Sequence, residues 1–251
     1  MNFEILKGIL IPFFGTSLGA ACVFFLKKDL NPRLETLLNG FAAGVMAAAS
    51  IWSLLLPAID RSAHLGHLAF LPAAGGFLSG TLLLLLLDHA LTQIRPDAAE
   101  KTSMMIFTIT LHNIPEGMAV GAIYAGWLIG DGAVTLAGAL ALSIGIAIQN
   151  FPEGAVVSLP LRAAGFRRKK SFIGGVLSGV VEPAAAVLTI FLSEQITPVL
   201  PFLLSFAAGA MIYVVVAELI PELHEHEYSD LGTLFFSLGF VIMMILDVAL
   251  S

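Results

Sequence analysis

His112-Asn113-Ile114-Pro115-Glu116-Gly117 is a polar stretch inside a long apolar run, and Gln149-Asn150-Phe151-Pro152-Glu153-Gly154 repeats it in the next run. A charged side chain at the centre of a bilayer costs roughly 2.5–3.5 kcal/mol on insertion scales, and each copy places a carboxylate there. On a helix, residues three and four apart share a face, so His112, Asn113 and Glu116 lie together, as do Gln149, Asn150 and Glu153. Each proline adds an oxygen. Pro115 offers no N–H to the carbonyl of Leu111, and Pro152 none to that of Ile148. Freed carbonyls are tolerated at membrane depth only where they face protein, water or a ligand. Imidazole, carboxylate, amide and carbonyl donors on consecutive helices suit a divalent cation. A proline-kinked helix with one hydrogen-bonded Glu would explain a single copy. It gives no reason for two.

The surroundings are those of a membrane. Of 251 residues, 58% are hydrophobic and 12% charged, about half the charge content of soluble domains. Eight apolar runs reach the roughly 20 residues of a bilayer crossing, at 5–26, 34–59, 68–91, 103–127, 133–161, 172–193, 198–222 and 231–250. The expected fold is therefore an all-α integral membrane protein of eight helices, one domain over residues 1–251. The first run lacks a small-residue cleavage site and is read as a retained span. No basic domain is present to bind nucleic acid. Cys22 is the sole cysteine, which excludes an intrachain disulfide and a thiolate cage.

Lys27, Lys28, Arg33, Arg95, Lys101, Arg162, Arg167, Arg168, Lys169 and Lys170 fall in alternate loops, leaving only Lys7 and Arg61 on the other side. By the positive-inside rule those loops are cytoplasmic and both termini extracytoplasmic. The chain also repeats itself at long range. Phe41-Ala42-Ala43-Gly44-Val45-Met46 reappears as Phe206-Ala207-Ala208-Gly209-Ala210-Met211, and Leu87-Asp88-His89-Ala90-Leu91 as Leu246-Asp247-Val248-Ala249-Leu250. The matched spans cross in opposite directions, so the first three helices read as an inverted copy of the last three around the motif pair. That 3+2+3 inverted-repeat plan is characteristic of transporters.

The paired H-N-x-P-E-G and Q-N-x-P-E-G motifs resemble the signature of the Zrt-/Irt-like (ZIP) divalent-metal transporters, in the form of the GufA-like branch. The resemblance covers nearly the whole chain and implies the same 3+2+3 fold. It implies transport rather than catalysis, with Zn²⁺ and ions such as Mn²⁺, Fe²⁺, Co²⁺ and Cd²⁺ as substrates and no prosthetic group. It further implies uptake into the cytoplasm across the plasma (cell inner) membrane. Carried over residue by residue, one ion would be held by Met46, His112, Glu116, Gln149 and Glu153. A second would be held by Asn113, Glu116, Asn150, Glu153 and Glu182, the last from Val181-Glu182-Pro183 in span six. Many relatives carry His in place of Gln149 and a carboxylate in place of Asn150, so this chain departs from the pattern at both positions.

Other polar residues mark the ends of the path. Asp88 and Asp247 are near-symmetric acids at span ends, placed either to attract cations at a mouth or to snorkel to the interface. Glu218, Glu222, His224 and His226 cluster at the end of span seven, as exit ligands or as a solvated acidic loop. His64 and His67 lie in an external loop. Gly76 and Gly80 form a small-xxx-small pair suited to close helix contact or a homodimer. The rival function is a membrane-embedded two-metal enzyme. Neither Glu-x-x-His pairs nor His-Glu-x-x-His occurs in the motif helices to support it.

Overall fold

The computed structural model describes residues 3–25, 32–92, 98–130, 134–163, 165–192, 199–224 and 229–250, and every regular element among them is helical. The long helices are α1 (Phe3–Phe25), α2 (Pro32–Arg61), α3 (Phe70–Thr92), α4 (Ala98–Ile129) and α5 (Leu136–Ala163), followed by α6 (Arg168–Phe191), α7 (Leu200–Leu219, prolonged by Ile220–His224) and α8 (Ser229–Leu250). Seven of these, all but α4, are long and apolar enough among the described residues to cross a bilayer. The chain is thus a multi-pass membrane protein.

Helix ends depart from the apolar runs where local chemistry dictates. Span three begins at Phe70 rather than 68, because Ala63–Leu68 forms a 3₁₀ segment with Gly66 at φ 58°. Span six starts at Arg168, directly after an extended Arg167 (ψ 143°), so the basic run forms its first turn. Inside α6 the helix breaks at Val180, just before Glu182-Pro183. Pro183 has no N–H for the Gly179 carbonyl, and Val180 N–H turns back to the Leu177 carbonyl at 3.3 Å instead.

The helices associate chiefly in four pairs: α1 with α5, α2 with α8, α3 with α7, and α4 with α6. Between apolar helices in lipid there is no hydrophobic drive to associate, so close backbone approach has to supply the attraction. Each pair has a G-x-x-x-G on its earlier helix: Gly15/Gly19, Gly40/Gly44, Gly76/Gly80 and Gly117/Gly121. A Cβ at Gly15 or Gly19 would strike the carbonyl of Ala147 or Phe151, and one at Gly40 or Gly44 that of Gly232 or Phe236. Gly76 and Gly80 meet the Phe202 and Phe206 carbonyls in the same way, and Gly117 and Gly121 those of Glu182 and Ala186. Contact positions rise together along both partners, so the members of each pair run parallel.

These contacts have counterparts. Gly44 sits on the Phe236 carbonyl as Gly209 sits on that of Phe77, and Gly239 on Phe41 as Gly80 on Phe206. Gly44 and Gly209, and Phe41 and Phe206, are matched in the long-range sequence repeat, and extending the register of its second half pairs Phe77 with Phe236 and Gly80 with Gly239. Both α2 and α7 also contain a widened π turn, at Ser50–Leu55 and Val215–Leu219. Pro57 and Pro221 follow directly, denying an N–H to the carbonyls of Ser53 and Ala217, which explains the local widening. The core between the pairs mixes alanines with larger side chains such as Leu54, Tyr124, Leu142 and Ile146, and Met46, Met211 and Met243 are buried within it.

Candidate metal centre

The motif glycines explain how the site is assembled. Gly117 lets α4 settle onto the Glu182 carbonyl of α6, and Gly154 lets α5 settle onto the Thr16 carbonyl of α1. The preceding glutamates are thereby carried into the bundle. Glu116 is 1% exposed and Glu182 2%, while Asn113, Gln149 and Asn150 are wholly buried. Glu153 is half-buried. α4 and α5 stay helical through Pro115 and Pro152.

Amides tie the helices to the acids. Gln149 Nε2 donates to Glu116 Oε1 at 2.5 Å, joining α5 to α4. Asn150 Nδ2 donates to Glu182 Oε2 at 2.7 Å, joining α5 to α6. Thr16 Oγ1 donates to the other oxygen of Glu182 at 2.9 Å, bringing α1 into the site. Asn113 Nδ2 donates to the Ser178 carbonyl at 3.2 Å. Glu153 and Glu182 both lie within electrostatic reach of Glu116, and Glu153 within reach of Glu182, so the three acids form one interacting cluster.

The other faces of these side chains are bare. Asn113 Oδ1, Glu116 Oε2, Gln149 Oε1, Asn150 Oδ1 and Glu153 Oε2 are buried oxygens with no hydrogen-bond partner. A buried acceptor left unpaired costs about 1–3 kcal/mol, more when charged. Five in one repeated motif point to a ligand that supplies positive charge. All five are hard oxygen donors, suited to a divalent cation. Among the described residues no three of His, Cys, Asp and Glu converge closely enough to hold an ion alone. The donor set that the fold brings together mixes amides with carboxylates.

The remaining expected residues are distributed as follows. Met46 lies in the apolar core. The His112, Glu222 and His224 side chains are outside the described set, and His226 lies outside the described residues. Glu218 is in the π turn of α7 and within electrostatic reach of Glu153. Asp88 accepts a hydrogen bond from Tyr213 at 3.0 Å, and Asp247 one from Ser53 at 3.0 Å, so each acid bonds across its helix pair. Asp247 shares a cavity of about 310 Å³ with Trp52, Ser53, Asp60 and Thr135. Gly76 and Gly80 are covered by α7 within the chain. Sequence reasoning missed Thr16, Ser53 and Tyr213. The readable signal for Thr16 was its place inside Gly15-x-x-x-Gly19, within a span that lacks charge from Ile9 to Phe25.

The family model for the ZIP zinc transporters matches residues 100–247, which takes in both motifs and Glu182. The chain belongs to the ZIP family. Its relatives include zinc transporter ZIP11 of Bos taurus, 36% identical over 94% of this chain and 94% of that protein. Zinc transporter ZIPB of Bordetella bronchiseptica is 39% identical over 95% of this chain and 79% of its own length. Zinc transporter GufA of Myxococcus xanthus is 33% identical over 94% of each, in keeping with the GufA-like form of the motifs. The ZIP family is one of transporters and not of enzymes, which removes the two-metal enzyme reading.

Proposed function

We propose that this ZIP-family chain takes up Zn²⁺ and related divalent ions (Mn²⁺, Fe²⁺, Co²⁺, Cd²⁺) into the cytoplasm, through a binuclear intramembrane site on α4, α5 and α6. The observation that carries this reading is the set of five bare oxygens on the repeated motif, buried in a membrane-spanning bundle. Glu116 and Glu153 bridge the two ions. Met46, His112 and Gln149 complete one coordination sphere, and Asn113, Asn150 and Glu182 the other. All of residues 1–251 form one transport domain.

The architecture is an eight-span 3+2+3 inverted repeat in which α4 is the eighth crossing. Exchanging α1, α2, α3 and α4 with α6, α7, α8 and α5 turns the pair α1–α5 into α6–α4 and the pair α2–α8 into α7–α3. The matched glycine contacts and the two π turns support this exchange. The chain lies in the plasma (cell inner) membrane with both termini extracytoplasmic. The cavity at Asp60 and Asp247 is then the inlet, and Glu218, Asp88, Glu222, His224 and His226 line the outlet. A homodimer has to use faces other than Gly76–Gly80, which α7 covers.

Reconstitution into liposomes loaded with a fluorescent chelator tests the function. Each of Zn²⁺, Mn²⁺, Fe²⁺, Co²⁺ and Cd²⁺ added outside should be compared with protein-free vesicles. Uptake of Zn²⁺ and at least one other ion is expected. Absence of uptake for every ion would overturn the reading.

A further inference from the structure

Thr16 donates to an acid of another helix, as Ser53 does to Asp247, where many hydroxyls of the bundle stay on their own backbone. Ser50, Ser62, Ser79, Ser143 and Thr189 each donate to the carbonyl four residues back on their own helix, within 3.1 Å. That is the usual outlet for a hydroxyl inside a helix. Thr16 has the same option, the Pro12 carbonyl, but at 3.5 Å, whereas Glu182 Oε1 of another helix is at 2.9 Å. A hydroxyl has one proton to donate, and the nearer, ionisable acceptor takes it.

The packing around Thr16 is shaped to keep that contact. Gly154 lies on its carbonyl, and a Cβ at Gly179 would come within 3.0 Å of Thr16 Cβ and Cγ2. The two motif glycines make Thr16 and Glu182 counterparts, since Gly154 sits on the Thr16 carbonyl as Gly117 sits on that of Glu182. One helix offers a carboxylate at this position, and its counterpart offers a hydroxyl that binds the carboxylate. Glu182 also differs from the other site acids. Glu116 and Glu153 each leave an oxygen without a partner, while both Glu182 oxygens are held, one by Thr16 and one by Asn150. An ionised carboxylate has about four acceptor positions, so two remain for an ion.

We propose that Thr16 is a positioning residue for the second metal site: its hydroxyl, together with Asn150, fixes the Glu182 carboxylate in the orientation that binds the ion. The proposal rests on the reading of Glu182 as a ligand and adds α1 to the helices that define the site. Groups that hold a metal ligand by hydrogen bonds typically change metal affinity about 10–100-fold when removed.

The test is equilibrium titration of the purified full-length protein with Cd²⁺, reading stoichiometry and each affinity, for wild type, Thr16→Val, Thr16→Ala, Thr16→Ser and Glu182→Gln. Thr16→Val and Thr16→Ala should weaken the Glu182-dependent ion about 10–100-fold while leaving the other unchanged, and Thr16→Ser should restore it. Adding Thr16→Val to Glu182→Gln should cause no further loss. Wild-type affinity in Thr16→Val alongside weakened binding in Glu182→Gln would overturn the proposal alone. Binding by Thr16→Ser as weak as by Thr16→Val would overturn it too, since packing and not the hydroxyl would then be responsible. Wild-type binding by Glu182→Gln would instead overturn the ligand reading beneath it. Should Thr16→Val not fold, Thr16→Ala against Thr16→Ser decides the same point, because both are smaller than threonine.

Discussion

Gln149 Nε2 donates to Glu116 Oε1 at 2.5 Å, so the first polar residue of one motif is bonded to the glutamate of the other. The two copies therefore act as one unit across the α4–α5 interface. The amide nitrogen is engaged with the acid and its oxygen remains bare. In the transport reading, Gln149 contributes that oxygen to an ion while holding a bridging carboxylate in place.

The close-packed glycines should be sensitive to a single methyl group. Gly76→Ala would drive a Cβ into the Phe202 carbonyl, whereas at Gly75 the nearest atom is a Phe202 ring carbon at 3.8 Å. Overpacking of this kind costs about 1–3 kcal/mol. Gly76→Ala should lower the unfolding midpoint in detergent and Gly75→Ala should not. Equal midpoints would mean that α3 and α7 do not approach as described.

Orientation is open to direct labelling. In a Cys22→Ala background, Arg168→Cys should be protected from a membrane-impermeant thiol reagent added outside intact cells, and His64→Cys should react. Both residues are exposed beyond the apolar core, so reactivity reports sidedness. The opposite pattern would place the basic loops outside and reverse the direction of transport.

Charge balance sets how tightly ions are held. Glu116, Glu153 and Glu182 supply three negative charges when ionised, which one divalent ion leaves at −1 and two leave at +1. Asn150→Asp removes the donor that now reaches Glu182 and adds a fourth charge. Two ions would then be neutralised together. Binding should tighten by at least about tenfold, roughly 1.4 kcal/mol, while maximal flux falls because release is slow. Affinity and saturating flux measured on both proteins would decide. Unchanged or weaker affinity, or higher flux at wild-type affinity, would contradict the charge-balance account, because the added charge would then not outweigh the lost Asn150–Glu182 hydrogen bond.

Much of this was legible in the sequence, because membranes reduce structure to a few strong signals. Apolar length located the helices, and polar residues in the fourth and fifth runs marked the centre. Thr16 was hidden because a threonine in a helix ordinarily bonds to its own backbone, and nothing in one span shows that another helix will bring an acid to it. The role of Gly117 and Gly154 was hidden for a related reason. A glycine after a glutamate has a purpose only once the opposing carbonyl is known. The break at Val180 and the π turns could be traced to Pro183, Pro57 and Pro221 only after the helices were in place.

The central claim is that Glu116 and Glu153 carry the transported ion, and Zn²⁺ influx into chelator-loaded proteoliposomes tests it most directly. Glu116→Ala and Glu153→Ala should each remove a ligand from both sites, at a cost of several kcal/mol in a poorly solvated interior. The expected result is robust influx for wild type and none above protein-free liposomes for either variant, with both variants eluting as folded protein in detergent. Wild-type influx in either folded variant would contradict the claim.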